Sequence, residues 1–455
     1  MSKNDLFRKA VEVPAQVLEK SIEFGEHLGK DSPTIRLARK GREFWHTLGP
    51  GLTTGASDDD PSGIATYSQT GAQFGFKLLW LAPVTFPLMA VVQEMCARIG
   101  LVTGRGLASN IRRNFSRKVV YISALLLLAA NTFNIGADLG AMAKATQLLQ
   151  PGWNTALLVI GFGVLSLCMQ IFTPYAKYAK YLKWLALILL AYVASAILAN
   201  LNWGEVLSRT VFPSLEFSKD QILLICAILG TTISPYLFFW QTSQEVEEQI
   251  LHGESTVAMR KGTTKEAVKS MRVDVWSGML LSNIVMFFII ASCGALLFSH
   301  GVTDITSAAQ AAEALRPFAG DATYFLFAIG IIGTGLLAIP VLAGSSSYAL
   351  SEAFGWREGL YRNLGQAKAF YGIIIISMLL GLGLNFVGLD PIKALIYSAV
   401  GNGIVAPVVL ALIVLISSNK KVMGQWVNRR AVTVLGWMIT GLMAIAGGAA
   451  IYSMF

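Results

Sequence analysis

Three consecutive aspartates set against a proline, in the stretch Ser57-Asp58-Asp59-Asp60-Pro61-Ser62-Gly63, are the residues of this sequence best suited to chemistry. Carboxylate oxygens are hard donors for cations. A second polar interruption, Gly230-Thr231-Thr232-Ile233-Ser234-Pro235, contributes hydroxyls instead of acids. Each stretch contains a helix breaker, so backbone carbonyls there lose their intrahelical partners and become available as cation ligands. Two plainer readings stand beside this one. The acids are solvated in an aqueous vestibule, and the Ser and Thr hydroxyls only satisfy backbone groups freed beside Pro235.

The elements that hold these residues are apolar. Of 455 residues, 54% are hydrophobic and 14% charged, which excludes an ordinary soluble domain. Eleven apolar runs recur, at about 48–71, 76–101, 119–148, 154–173, 182–201, 220–245, 274–299, 322–350, 368–386, 392–417 and 431–453. Each is near the roughly 20 residues that a helix needs to cross a bilayer, which predicts an all-α integral membrane protein with eleven transmembrane helices. The two polar interruptions fall in the first and sixth runs, five apart, the pattern of an inverted repeat of five plus five helices with a binding site at the membrane midplane. The repeats are expected at about 48–201 and 220–417, within a transport core of residues 47–418. A cytosolic arm, 1–46, precedes the core, and 419–455 add a cytoplasmic loop and the eleventh helix. Inside the membrane a carboxylate costs at least about 2.5 kcal/mol, so three adjacent Asp residues argue for a cation partner.

Basic residues set the orientation, since cytoplasmic loops accumulate Lys and Arg. With the N-terminus inside and the C-terminus outside, 29 of the 36 Lys and Arg residues fall in cytoplasmic segments. Only Lys77, Arg209, Lys219 and Arg316 fall in outer loops. The net charge of +9 thus reports topology and needs no nucleic-acid partner. Some 45 mostly polar residues precede the first apolar run, so no signal peptide is expected, and the chain is placed in the cell inner (plasma) membrane as a monomer in the lipid bilayer. Cys96, Cys168, Cys226 and Cys293 are too widely spaced for a disulfide framework or a metal site and read as core packing.

The run Asp60-Pro61-Ser62-Gly63-Ile64-Ala65-Thr66, followed by Gly71-Ala72-Gln73-Phe74-Gly75-Phe76-Lys77-Leu78-Leu79-Trp80, resembles the first span of Nramp divalent-metal transporters, whose motif there is Asp-Pro-Gly-Asn. The likeness continues through Gln93, Ala97-Arg98, Gly100 to Gly104, Ala137-Asp138-Leu139, Leu229-Gly230 and Pro235. It implies the LeuT-type architecture and a metal site built on the two breaks. In the family an Asp and an Asn of the first motif, a backbone carbonyl and a Met thioether of a Met-Pro-His segment hold the ion. Here Asp60 is kept, Gly63 stands for the Asn, Ser234 for the Met, Tyr236 for the His, and Thr231 for the residue lending its carbonyl.

These departures bear on the cargo. A thioether favours later transition metals, and its loss removes that preference. Mg2+ requires near-octahedral oxygen and retains several waters, for which the smaller Gly63 and Ser234 leave room. The expected ion-binding set is Asp60, Gly63, Thr231, Ser234, Thr232 and Asp59, with Mg2+, and Mn2+ beside it, as transported substrate; neither a cofactor nor an enzymatic activity is expected. The acidic and imidazole positions of a proton relay are matched by Asn131, Ala141, Tyr236 and Gln241, leaving Asp138 alone, which predicts transport without proton coupling. The resemblance therefore points to the magnesium-carrying branch of the family. The alternative is a proton-coupled Mn2+ or Fe2+ transporter of the ordinary type. An intramembrane hydrolase using Asp60 and Asp138 lacks the expected Gly-x-Gly-Asp context, and the acids would repel the substrate carboxylate of an amino-acid symporter. Glu245, Glu247 and Glu248 are expected to draw cations toward an inner vestibule, and Asn402 to face the site from the tenth run.

Overall fold

Proline and packing, more than apolarity, decide where the helices of this chain start and stop. The structure is a computed structural model that describes residues 48–453, except 174–176, 178–179, 183–184, 199–200, 215, 217, 304, 306–307 and 388–390. The expected cytosolic arm, with His27 and His46, lies outside the described residues. Nearly all the described residues belong to one compact unit, Pro50–Phe455.

Among the described residues, fifteen α-helices of eight residues or more form the framework, and no strand occurs. The first expected span is two helices, α1 (Pro50–Asp58) and α2 (Pro61–Phe74), because Pro61 cannot donate an amide to continue α1 but suits the first turn of α2. There follow α3 (Leu81–Thr103), α4 (Leu107–Asn114), α5 (Arg117–Leu149), α6 (Thr155–Phe172), α7 (Leu190–Leu198) and α8 (Trp203–Val211). The sixth span is divided in the same way, into α9 (Lys219–Thr232) and α10 (Pro235–Leu251), by Pro235. The remainder are α11 (Lys265–Leu296), α12 (Ala308–Phe354), α13 (Lys368–Leu384), α14 (Pro391–Ser417) and α15 (Arg430–Ser453).

Among the described residues, eight helical stretches are long and apolar enough to cross a membrane, counting α9 and α10 as one. Three expected runs fall short for separate reasons. The break leaves α1 and α2 with 9 and 14 residues, α13 has 17, and the fifth run includes undescribed positions. Other helices overrun their apolar windows: α12 spans 47 residues, since intrahelical bonding continues past the apolar surface.

The central packing is α5 against α12, while α11 runs along both α1 and α2, and α14 lies against α5, α9 and α15. Two crossings are backbone to backbone. A Cβ on Gly55 would lie 2.2 Å from the Gly278 carbonyl oxygen of α11, and one on Gly230 would lie 2.1 Å from the Ala399 carbonyl oxygen of α14. Only glycine permits these approaches. The α1–α11 crossing also settles where α1 begins, because Asp274 of α11 accepts from the amides of Gly51 at 2.6 Å and Leu52 at 3.1 Å, satisfying donors that a helix N-terminus leaves free. Cys96, Cys226 and Cys293 are buried, Cys168 is exposed, and all four are free thiols.

Candidate cation site at the paired helix breaks

Asp60 is positioned by the break itself. Its backbone is extended (φ −66°, ψ 169°), and it caps α2 by accepting from the Gly63 amide at 2.7 Å. The Ser62 hydroxyl donates to the same oxygen at 2.6 Å. The other oxygen accepts from Asn134 Nδ2 of α5 at 2.7 Å, and Asn134 Oδ1 in turn accepts from the Ser398 hydroxyl of α14 at 2.6 Å. This relay holds the Asp60 carboxylate between three helices at 1% exposure. One turn beyond Asn134 on α5, Asp138 faces Asp60 and the Ser62 backbone, fully buried, and neither of its oxygens has a hydrogen-bond partner.

The hydroxyls of the second break divide into two kinds. Ser234 donates to the carbonyls of Gly230 and Thr231, both at 2.7 Å, and Thr232 donates to Ile228 at 2.8 Å, so both satisfy backbone groups, as the plainer reading expects. Thr231 Oγ1 is buried without a hydrogen-bond partner and faces the space beside Gly63. That space is smaller than the expected room for waters. A Cβ on Gly63 would lie 3.0 Å from Thr231 Oγ1, 3.3 Å from the Asp58 carbonyl oxygen and 3.4 Å from the Tyr67 ring. Tyr67, which no motif signalled, fills volume that an Asn side chain would need. The two breaks are joined directly by Tyr236, whose hydroxyl donates to the Ser57 carbonyl at 2.8 Å.

Asp58 and Asp59 point elsewhere. The Ser282 hydroxyl of α11 donates to one oxygen of Asp58 at 2.7 Å, leaving the other unpartnered, and Asp59 faces the same hydroxyl with both oxygens unpartnered. Both residues are wholly buried. Asp59 therefore stands apart from the Asn134 relay that holds Asp60. Among the described residues no Lys, Arg or His forms an ion pair with any of these four acids. Nor do three His, Cys, Asp or Glu side chains converge there as a metal cage.

Two of the remaining expected positions, Asn131 and Gln241, are engaged in structural bonds. Asn131 donates to the Leu342 carbonyl at 3.0 Å and to the Ser345 and Ser346 hydroxyls at 2.9 Å, tying α5 to α12. Gln241 donates to Glu245 at 2.9 Å. Asn402 is buried with its oxygen unpartnered. The expected acidic vestibule is not an open cluster, because Glu245 and Glu247 are buried. Glu247 accepts from the Tyr348 hydroxyl and from the amides of Leu360 at 2.8 Å and Tyr361 at 3.2 Å, so it pins the loop after α12. Sequence reasoning missed Asn134, Ser398, Ser282 and Tyr67. Asn134 alone carried a signal, standing four residues before Asp138 on one face of α5.

The profile of natural resistance-associated macrophage protein-like (Nramp) proteins matches residues 51–453. The chain belongs to the Nramp family. Two curated relatives from Klebsiella pneumoniae, strains 342 and ATCC 700721 / MGH 78578, are each named divalent metal cation transporter MntH and are 26% identical over 407 residues, 88% of this chain and 92% of the relative. Among solved structures, the Eremococcus coleocola manganese transporter in complex with an aromatic bis-isothiourea substituted compound is similar at a TM-score of 0.70 and 20% identity, covering 92% of this chain and 87% of that one. Mhp1, a nucleobase-cation-symport-1 family transporter, is similar at a TM-score of 0.56 and 18% identity over 89% and 91%. The Nramp fold of the chain is thus of the LeuT type that these neighbours share.

Proposed function

We propose that this Nramp protein imports Mg2+, and Mn2+ with it, through an oxygen-lined midplane site by alternating access and without proton coupling. The observation that carries this reading is the donor set: the Asp60 carboxylate and the Thr231 hydroxyl offer oxygen only, with Ser234 and Tyr236 at the positions matched to sulfur and imidazole. Hard oxygen without a closed cage suits an ion that keeps part of its water shell. Asn131, Ala141, Tyr236 and Gln241 cannot exchange protons near neutral pH, and the first, third and fourth are engaged in structural bonds. The same reading places eleven spans in the plasma membrane with the N-terminus inside, as a monomer built on two inverted five-helix repeats.

Proton-coupled Mn2+ transport is the second reading. It is favoured by the names of the relatives and by Asp138, a buried carboxylate with no hydrogen-bond partner. Influx of Mg2+, Mn2+ and Ca2+ into proteoliposomes loaded with a pH dye separates the two. Under the proposal, Mg2+ enters with internal pH unmoved, and an outside-acid gradient does not accelerate it. Acidification that accompanies the metal and vanishes in Asp138→Asn establishes the second reading instead.

A further inference from the structure

We infer that Asp58, Asp59 and Ser282 form a second cation subsite, beside the Asp60 site, that takes a hard divalent ion with part of its water shell. The inference rests on the proposed cation transport, since it concerns how the same pathway is occupied. Three observations support it together. First, Asp58 accepts from the Ser282 hydroxyl of α11, which the adjacent Asp59 also faces without bonding to it, whereas Asp60 is directed to α5, so the three adjacent acids serve two different walls. Second, three of the four carboxylate oxygens of Asp58 and Asp59 are buried and unpartnered, a large desolvation cost unless a ligand meets them. Third, the Tyr67 hydroxyl is also buried without a hydrogen-bond partner, and the Tyr67 ring lines the space beside Gly63 together with Thr231 Oγ1 and the Asp58 carbonyl. A phenol so placed can donate to, or accept from, the water shell of an ion in either position.

Charge balance gives the second ion its class. Asp58, Asp59, Asp60 and Asp138 bring four carboxylates into one buried region with no basic partner among the described residues. One divalent ion at Asp60 offsets two of them. A second divalent ion between Asp58 and Asp59 offsets the other two and uses the paired carboxylates as Mg2+ sites do, with waters filling the remaining positions. Two such ions repel, so occupancy of one subsite promotes departure from the other, the arrangement by which closely spaced sites combine binding with passage.

Equilibrium dialysis of the purified full-length protein with Mn2+ as probe, displaced by Mg2+, reads the stoichiometry directly. The wild type is expected to bind two Mn2+ per chain. Asp58→Asn, Asp59→Asn and Ser282→Ala each retain the one at Asp60, and Asp60→Asn retains the one at Asp58–Asp59. Each variant is first shown to be monodisperse, and Ser282→Ala, which removes only a hydroxyl, covers the case in which an Asp variant fails to fold. Wild-type stoichiometry of one that falls to zero in Asp60→Asn overturns the subsite and leaves the Asp60 reading standing. Two ions retained in Ser282→Ala, Asp58→Asn and Asp59→Asn also overturn it. Stoichiometry unchanged in Asp60→Asn but lowered in the other three overturns the Asp60 site and keeps the subsite.

Discussion

Asp60 has three hydrogen-bond donors within 2.7 Å, and each comes from a group that also holds a helix: the Gly63 amide and Ser62 hydroxyl of α2, and Asn134 of α5. Asp60→Ala is therefore expected to abolish metal influx and also to cost about 1–2 kcal/mol through loss of the α2 cap, a price small enough to leave extractable protein. Wild-type influx in that variant would remove Asp60 from the site. For selectivity, Ser234→Met with Gly63→Asn should shift competition from Mg2+ toward Cd2+ and Mn2+ through the added sulfur. Because a Cβ on Gly63 sits 3.0 Å from Thr231 Oγ1, an atom of the donor set, the pair should bind metal less tightly than Ser234→Met alone; an unchanged Mg2+ to Cd2+ preference in both variants would tell against this geometry. What could be read here from sequence was the acid at the break, since a charge beside proline in an apolar run has few uses. What could not was its partners. Asn134 and Ser282 are 74 and 224 residues from the acids they bond, and no local pattern encodes such pairings.

At the scale of elements, the breaks were legible because Pro61 and Pro235 act through the chain's own stereochemistry, within a few residues. The lengths of α5 and α12 were not, because apolar windows end where lipid contact ends and helices need not. The α1–α11 crossing tests the packing argument. Gly55→Val places atoms within 2.2 Å of a backbone oxygen and should destabilise by about 1–3 kcal/mol or more, lowering the detergent melting temperature, whereas Gly161→Ala, with nothing within 4 Å, should leave it unchanged or raise it. Equal melting temperatures for the two variants would contradict the crossing.

Across the whole molecule, energy for uptake has to come from somewhere if protons do not supply it. A divalent ion moving inward gains about 4.6 kcal/mol per 100 mV, enough for roughly thousandfold accumulation. Mg2+ influx should therefore respond to an imposed potassium-diffusion potential and be indifferent to a pH gradient of the same energy. The loop after α12 is where a pH response is expected. Burial, reinforced by Glu352 and Glu247 and opposed by Arg362 and Arg105, raises the Glu358 carboxyl well above the ordinary carboxylate range. The docked loop thus holds that proton more tightly than a freed loop would, so docking is strongest in acid and weakens as pH rises through the raised value. Hydrogen exchange at the Leu360 and Tyr361 amides, corrected for intrinsic rates, should lose protection over that rise, and Glu358→Gln should flatten the profile.

The two amides that Asp274 secures at the head of α1, with Gly51 and Gly55 pressed against Val275 and Gly278, leave that half-helix no independent hinge. Whatever swings to open the pathway on that side must take α11 as its lever arm or detach from it. In the first case α1, α11 and Ser282 travel as one piece, and the carboxylates of Asp58 and Asp59 keep their company throughout the cycle. In the second, Asp274 acts as a catch whose release sets the tempo of turnover. Asp274→Asn, which weakens the catch without emptying its space, would then alter how fast the transporter cycles while leaving how tightly it holds its ion untouched.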